Sequence, residues 1–341
     1  MSNLQIYAQA RLLRAWQQRD WLACLLWPVS LLFWLVQALR RALYAAGVFQ
    51  TVMLPVPVIV VGNIFVGGTG KTPLVIWLVH QLRLHGFMPG VISRGYGNNT
   101  DAVQAVTVHM SPQEAGDEPL LIVKKTGVPL FIGRKRVAAA RALLSAHPEV
   151  NVIISDDGLQ HYALGRKIEI QLSDSRGHGN GWLLPAGPLR ETVSRKSDFY
   201  VINGGQTIIE NTFGMQLDGD FVEQLTDRNQ RMTFAELAAK KNIAAVAGIG
   251  NPQRFFAMLR AKGLTLATMQ ALPDHFDFSF NPFESITADI ILITEKDAVK
   301  CATITDTISQ DQRLWVVPVE ATLDAALIKN IVEKLRGHTT A

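Results

Sequence analysis

The chain has 341 residues, 48% of them hydrophobic and 18% charged. That is enough apolar material for a large buried core in two domains, or in one with an appendage, and it excludes a chain too polar to fold. A net charge of +4 suits an anionic substrate or membrane surface as well as an ordinary basic soluble protein, and no aromatic-plus-basic spacing marks a nucleic-acid module. The two cysteines, Cys24 and Cys301, have no metal-ligand partner at a recognised spacing, which points to a reduced intracellular protein.

The first predicted element lies between Asp20 and Arg40, where "WLACLLWPVSLLFWLVQAL" carries no charge over 19 residues. About 20 apolar residues span a hydrocarbon core as helix. Trp21, Trp27 and Trp34 are candidate interfacial anchors, and Arg40 and Arg41 close the run. It is too long, and starts too late, for a cleaved signal peptide. Pro28, Ser30 and Gln37 weaken it as a span. Arg11, Arg14 and Arg19 before it, with Arg40 and Arg41 after it, ask both flanks to stay on one side. A helix lying in the interface satisfies both flanks; a buried core helix is the alternative. Residues 1–48 are read as a membrane-associated helical segment whose mode of association stays open.

"VPVIVVGN", Val56 to Asn63, is β-branched and apolar, as a buried parallel strand requires. "GGTGKT" follows, Gly67 to Thr72, and then an amphipathic helix to about Leu84. Gly67, Gly68, Thr69 and Gly70 form a turn tight enough for amide N–H groups to face phosphate oxygens, at the positive end of a helix. Lys71 would reach the β- and γ-phosphates of ATP, and the Thr72 hydroxyl would bind Mg²⁺. The glycine that opens the strict G-x-x-x-x-G-K-[ST] motif falls on Phe65, with Gly62 three residues earlier. That departure alters the loop's shape more than its chemistry.

"PGVISRGYG" reads as a further strand. Arg94 after it could hold a phosphate of ATP or of the substrate, with a surface arginine as the equal alternative. Asn98-Asn99-Thr100 matches a glycosylation sequon and is discounted. The basic "GRKRVAAARALL" reads as a helix with a solvated face, or one facing lipid phosphate. "VNVIISDDGLQH" is an apolar strand ending in Asp156-Asp157, the form of a Walker B strand whose acid meets Mg²⁺. "FYVINGG" near Tyr200 continues the alternation, giving a P-loop NTPase-type, doubly wound, mostly parallel α/β sheet over 49–205. A smaller α/β domain, 206–341, repeats strand–turn–helix in "NIAAVAGIGNPQRFFAMLRAKG" and "ADIILITEKDAVK". Gly248-x-Gly250 is read as an ordinary tight turn. "TEKD", Thr294 to Asp297, is near the base-reading motif of GTPases with its Lys one place late, and carries little weight.

Six stretches, "GGTGKTP", "SRGYG", "GDEPLL", "SDDGLQH", "LPAGPLRE" and "DHFDF", stand in the order of the tetraacyldisaccharide 4'-kinase family, which the chain resembles from about Leu54 to about Lys300. The resemblance implies a membrane-surface lipid kinase using ATP and Mg²⁺. It would phosphorylate the 4'-hydroxyl of a tetraacylated glucosamine disaccharide 1-phosphate to give lipid IVA, at the cytoplasmic face of the bacterial inner membrane, with no obligatory protein partner evident. It implies Asp117 as general base partnered by His275, with Asp274 beside them, and Lys71 and Thr72 on phosphate and metal. Asp156 and Asp157 become the metal-side and phosphate-side acids, and Glu191 a further Mg²⁺-associated carboxylate.

On physical grounds an alcohol must lose its proton as phosphorus approaches, and an Asp near pKa 4 is a weak base unless a neighbour tunes it. Asp117 and His275 are so far apart in sequence that domain closure is expected to join them. The bland reading of "GDEP" is a helix start, with Asp117 as cap and Pro119 in the first turn. Partitioning-type P-loop ATPases carry Lys just before the two glycines, where this chain has Val66. A nucleotide-regulated binding protein without turnover would not need an acid–base pair.

Overall fold

Parallel strand pairing dominates the computed structural model, which describes residues 11–95, 102–205, 210–240, 242–304 and 306–337. The fold is α/β. Two compact units are built from interleaved segments: Met1–Thr69, Asp157–Met215 and Asp324–Ala341 in the first, Gly70–Asp156 and Gln216–Leu323 in the second.

In the first unit the strand Val58–Gly62 is buried along its whole length, as its apolar run predicts. It pairs in parallel with Ile168–Asp174, which pairs with Phe199–Asn203 and that with Thr212–Asp218; Ile59 sits opposite Ile168, and Tyr200 opposite Thr212. Gly62 is a packing glycine, because a Cβ there would stand 2.7 Å from Leu159 Cγ.

The apolar N-terminal run forms one helix, Trp21–Ala45, started by Asp20, whose carboxylate accepts from Ala23 N at 2.9 Å. It is not a buried core helix: Ala23 and Ser30 are its buried residues, while Trp21, Leu25, Leu32, Leu35 and Leu39 are all more than half exposed. By length and composition it is apolar enough to cross a membrane. One face docks on the loop 180–189. Ser30 Oγ donates to Leu183 O at 2.8 Å and accepts from Ala186 N at 3.0 Å. Trp16 Nε1, just before the helix, donates to Pro185 O at 2.9 Å, and the Trp27 and Trp182 rings lie 6.3 Å apart.

In the second unit Val152–Asp156, Pro89–Ser93 and Leu130–Ile132 pair in parallel, with the short Gln104–Ala105 antiparallel at the edge. The helix Lys71–Leu84 buries Leu74, Val75, Leu78, Val79 and Leu82, a stripe of period 3.6. Each such side chain contributes about 1.5–3 kcal/mol by leaving water. A separate sheet runs in the order Arg231–Thr233, Phe221–Gln224, Leu314–Val317, Ile290–Thr294, Ile243–Ala247, Leu266–Ala271. Its last four strands are parallel. The chain leaves Ile243–Ala247 for one side and returns at Ile290–Thr294 on the other, so these two strands flank a topological switch point, where α/β sheets present functional groups. The loop after Leu266–Ala271 carries "DHFDF", fixed by rings: Phe276 lies 5.0 Å from Phe278 and Phe278 5.9 Å from Phe283, centre to centre.

Candidate functional site

The phosphate loop is held open by side chains that occupy its carbonyl groups. Asn63 Nδ2 donates to Phe65 O at 2.6 Å and Gly67 O at 3.1 Å; Arg176 Nη2 donates to Gly68 O at 2.8 Å; Asn203 Nδ2 donates to Thr69 O at 2.8 Å. Carbonyls turned outward leave the opposite face of the peptide planes for N–H groups, the arrangement an anion needs. Gly67 and Gly70 both take φ +101°, open to glycine and costly for other residues. Gly70 then caps the helix on which Lys71 and Thr72 are the first, buried residues. The Thr69 hydroxyl, fully buried, has no hydrogen-bond partner among the described residues.

Phe65, the departure from the strict motif, is explained by Arg176. The guanidinium lies 4.6 Å from the ring centre while it forks onto buried Asp174 at 2.8–3.1 Å. Sequence reasoning missed Asn63, Arg176 and Asn203. On its other flank the loop's approach is paired with "LPAGPLRE", through Val66 N to Pro188 O at 2.9 Å and Arg190 N to Ile64 O at 2.7 Å.

Asp156 ends the strand Val152–Asp156, buried, and accepts from Ser93 Oγ of the neighbouring strand at 3.1 Å. Asp157 follows in the left-handed region at φ +48° and faces Arg190 Nη1 at 3.0 Å. Glu191, implied to be metal-associated, has both oxygens engaged: Gln160 Nε2 donates at 3.1 Å, Tyr162 Oη at 2.9 Å and Arg195 Nη1 at 2.6 Å. Burial and the Glu191 carboxylate push the Tyr162 hydroxyl up to about 12, so it stays a donor. Asp157 and Glu191 are each committed to an arginine.

Among the described residues no group of three or more His, Cys, Asp or Glu side chains could hold a metal. Mg²⁺ binds through one or two carboxylates plus substrate phosphates rather than in a protein cage. The Thr72 hydroxyl and the Asp156 carboxylate are oxygen donors. Arg94 is exposed just after Pro89–Ser93. Tyr96 and Gly97 of its motif, and the 98–100 sequon, lie outside the described residues. Of the basic helix, Arg136 is turned inward and donates to Gly133 O at 2.7 Å.

In the second unit Asp117 and His275 are in contact, His275 Nδ1 to Asp117 Oδ2 at 3.1 Å. Asp117 is the first residue of the helix Asp117–Thr126, buried, and its Oδ1 accepts from Glu118 N at 2.9 Å. "GDEP" is a helix start, with Gly116 rather than Asp117 at the cap position. His275 takes φ +58°, rare for a residue with a Cβ, and its N–H donates to Asp274 Oδ1 at 3.1 Å. Lys296 and Lys300 bring their ammonium groups to 3.8 and 3.7 Å from Asp117 Oδ2. Burial pushes the Asp117 carboxyl up, but the His275 hydrogen bond and the two lysines outweigh it and hold it well below the ordinary carboxylate range. The expectation that a neighbour strengthens the base is thus reversed. The surroundings stabilise the anion.

A family model described as tetraacyldisaccharide-1-P 4'-kinase (LpxK) matches residues 22–336. The chain belongs to this family. It is 56% identical to a tetraacyldisaccharide 4'-kinase of Janthinobacterium sp. (strain Marseille), over 100% of this chain and 99% of that one. It is 54% identical to a protein of the same name from Herminiimonas arsenicoxydans, over 96% of each. The crystal structure of LpxK from Aquifex aeolicus in complex with ATP superposes with a TM-score of 0.73 at 29% identity, covering 92% of this chain and 99% of that one.

Membership in this family of kinases leaves "TEKD" without a base-reading role. Thr294 caps the helix Glu295–Cys301, its Oγ1 donating to Asp297 Oδ2 at 2.7 Å and accepting from Asp297 N at 3.2 Å. Gly248 N also donates to Asp297 Oδ2, at 2.9 Å, across the switch point. The motif is a helix start that carries Lys296 and Lys300 one turn apart, and that i, i+4 spacing was the signal for their shared face.

Proposed function

We propose that this chain transfers the γ-phosphate of ATP to the 4'-hydroxyl of a tetraacylated glucosamine disaccharide 1-phosphate, giving lipid IVA, at the cytoplasmic face of the inner membrane. The observation that carries this reading is the Asp117–His275 contact: a buried carboxylate, held anionic, in a chain with a phosphate loop. Its chemistry is that of phosphoryl transfer, where positioning and electrostatics supply most of the rate. Lys71 and the amides of Gly67–Thr72 hold the phosphates. Asp117 accepts the hydroxyl proton as the oxygen bonds to the γ-phosphorus and the bond to the β-phosphate oxygen breaks, releasing ADP. A carboxylate of low basicity serves because the proton leaves late in a loose transition state. His275 donates to Asp117 and fixes its orientation. Thr72 and Asp156 would hold Mg²⁺, which when bound offsets charge on the phosphates. Arg190 and Arg195 are anchored by Asp157 and Glu191, which enter as partners of these arginines, and Arg94 is a candidate for a substrate phosphate.

The exposed apolar face of Trp21–Ala45, opposite the side docked through Ser30, supports a helix lying in the membrane interface near its lipid substrate. Deleting residues 1–48 is expected to reduce recovery with membranes; full retention in the pellet would refute the anchor. The kinase assignment is tested with γ-labelled ATP, Mg²⁺ and tetraacyldisaccharide 1-phosphate in detergent. Label is expected in the lipid, and intact nucleotide binding without transfer would overturn it.

A further inference from the structure

Among the described residues, three groups stand at hydrogen-bond distance from the three N–H groups of Lys296. Its Nζ stands 2.9 Å from Glu118 Oε1, 3.4 Å from Asp274 Oδ1 and 3.4 Å from His275 Nε2. An ammonium group donates and cannot accept. Whatever faces it at hydrogen-bond distance must therefore offer a lone pair, and for His275 that atom is Nε2. The other ring nitrogen, Nδ1, faces the Asp117 carboxylate, which is acceptor-only as an anion.

From these two contacts we infer that Lys296 is a positioning residue that holds His275 in the singly protonated Nδ1–H form, with a bare Nε2. A proton on Nε2 would point at the ammonium group. The Nδ1 proton is thereby committed to Asp117 Oδ2, and His275 serves the carboxylate as a fixed neutral donor rather than as a store for the proton leaving the acceptor hydroxyl. The surroundings support the arrangement. Burial would pull the Lys296 ammonium down, but Glu118, Asp117 and Asp274 more than offset it and hold it well above the ordinary lysine range. The side chain is only 14% exposed, so water competes weakly for its donors. The left-handed backbone of His275 and its N–H bond to Asp274 Oδ1 aim the ring between Lys296 and Asp117. The i, i+4 partner, Lys300, lies 3.7 Å from Asp117 Oδ2.

The catalytic meaning of this inference rests on Asp117 as the proton acceptor; the tautomer itself does not. The test is long-range ¹H–¹⁵N correlation on the full chain labelled at histidine nitrogen, near pH 7.5, with His275→Asn used to assign the signal. The expected pattern is a protonated Nδ1 and a bare Nε2. Protonated Nε2, alone or together with Nδ1, overturns the inference, and this measurement needs no variant to fold. Lys296→Met is expected to add protonated Nε2 and to lower kcat roughly tenfold, a fraction of the general-base effect, with the KM for ATP unchanged. Lys296→Gln keeps an NH₂ donor group and is expected to retain the bare Nε2. An unaltered His275 pattern and kcat in Lys296→Met would also overturn it. If Asp117→Ala keeps its kcat, the proton-acceptor reading falls instead, whatever the tautomer.

Discussion

The guanidinium of Arg176 stacks on the ring of Phe65, 4.6 Å from its centre, and in that position donates to the Gly68 carbonyl of the phosphate loop. Phe65 stands where the strict motif has glycine, so a natural experiment is to restore the motif. Phe65→Gly removes the platform and frees a backbone that had one conformation. The stack contributes about 1 kcal/mol, so ATP is expected to bind roughly fivefold more weakly by calorimetric titration. Tighter binding would mean that Arg176 does not need the ring to hold Gly68.

Asp117 is proposed to accept the hydroxyl proton. Asp117→Asn keeps the shape and removes the acceptor, and kcat is expected to drop by about a hundredfold or more with the KM for ATP little changed. A steady-state assay with varied ATP separates the two. An unchanged kcat takes Asp117 out of that role.

The Asp117 cluster also sets a pH window for stability. The carboxyl has its folded pKa depressed, so its contribution is present above its unfolded value, about 3.9, and is lost as pH falls toward the folded one. Lys296 has its folded pKa raised, so its contribution is present below about 10.4 and is lost as pH climbs further. Tm is therefore expected to fall below about pH 4 and above about pH 10 in the native chain. Asp117→Asn should start lower and lose less on acidification; an equal acid slope in both would remove Asp117 from the effect.

The strands were legible wherever an apolar run coincides with full burial, as in Val58–Gly62, Val152–Asp156 and Ile290–Thr294. The places of Lys71, Thr72, Asp117 and Asp156 were legible because each stands in a short contiguous motif at the end of a strand or the start of a helix. What escaped was support delivered from a distance. Asn203 reaches Thr69 O across 134 residues, and Lys296 reaches Glu118 across 178. Such pairs leave no periodicity, since one partner is a carbonyl that every residue has, or a carboxylate with an ordinary place at a helix start. The docking of Ser30 was hidden for a related reason: in an apolar run a serine reads as a weakness of the span, while in the fold it is what attaches the helix.

Glu191 and Arg195 form a buried pair, 2.6 Å apart, with Tyr162 and Gln160 donating to the same carboxylate. Removing one partner of a buried pair costs about 3–5 kcal/mol. Glu169 also accepts from Arg195, at 2.7 and 2.9 Å, and keeps the guanidinium paired, so Glu191→Ala is expected near the lower end, about 3 kcal/mol. Urea unfolding measures this. The Mg²⁺ concentration for half-maximal activity is expected to stay unchanged, and a large rise in it would return Glu191 to the metal side.

Ser30 is the polar point by which the apolar helix is attached, and it serves two backbone groups at once, Leu183 O and Ala186 N. Ser30→Leu makes the run more apolar while leaving both groups without a partner, at about 1–3 kcal/mol for each if they stay buried. The loop is expected to loosen at that spot, raising amide exchange at Ala186 by roughly ten- to a hundredfold. Arg190 N, bonded to Ile64 O at 2.7 Å on the side of the phosphate loop, does not depend on Ser30 and should keep its protection. Faster exchange at both amides would mean that the apolar helix and the approach to the phosphate loop open as one piece; unchanged exchange at Ala186 would mean that Trp16 and Trp27 hold the helix without the serine.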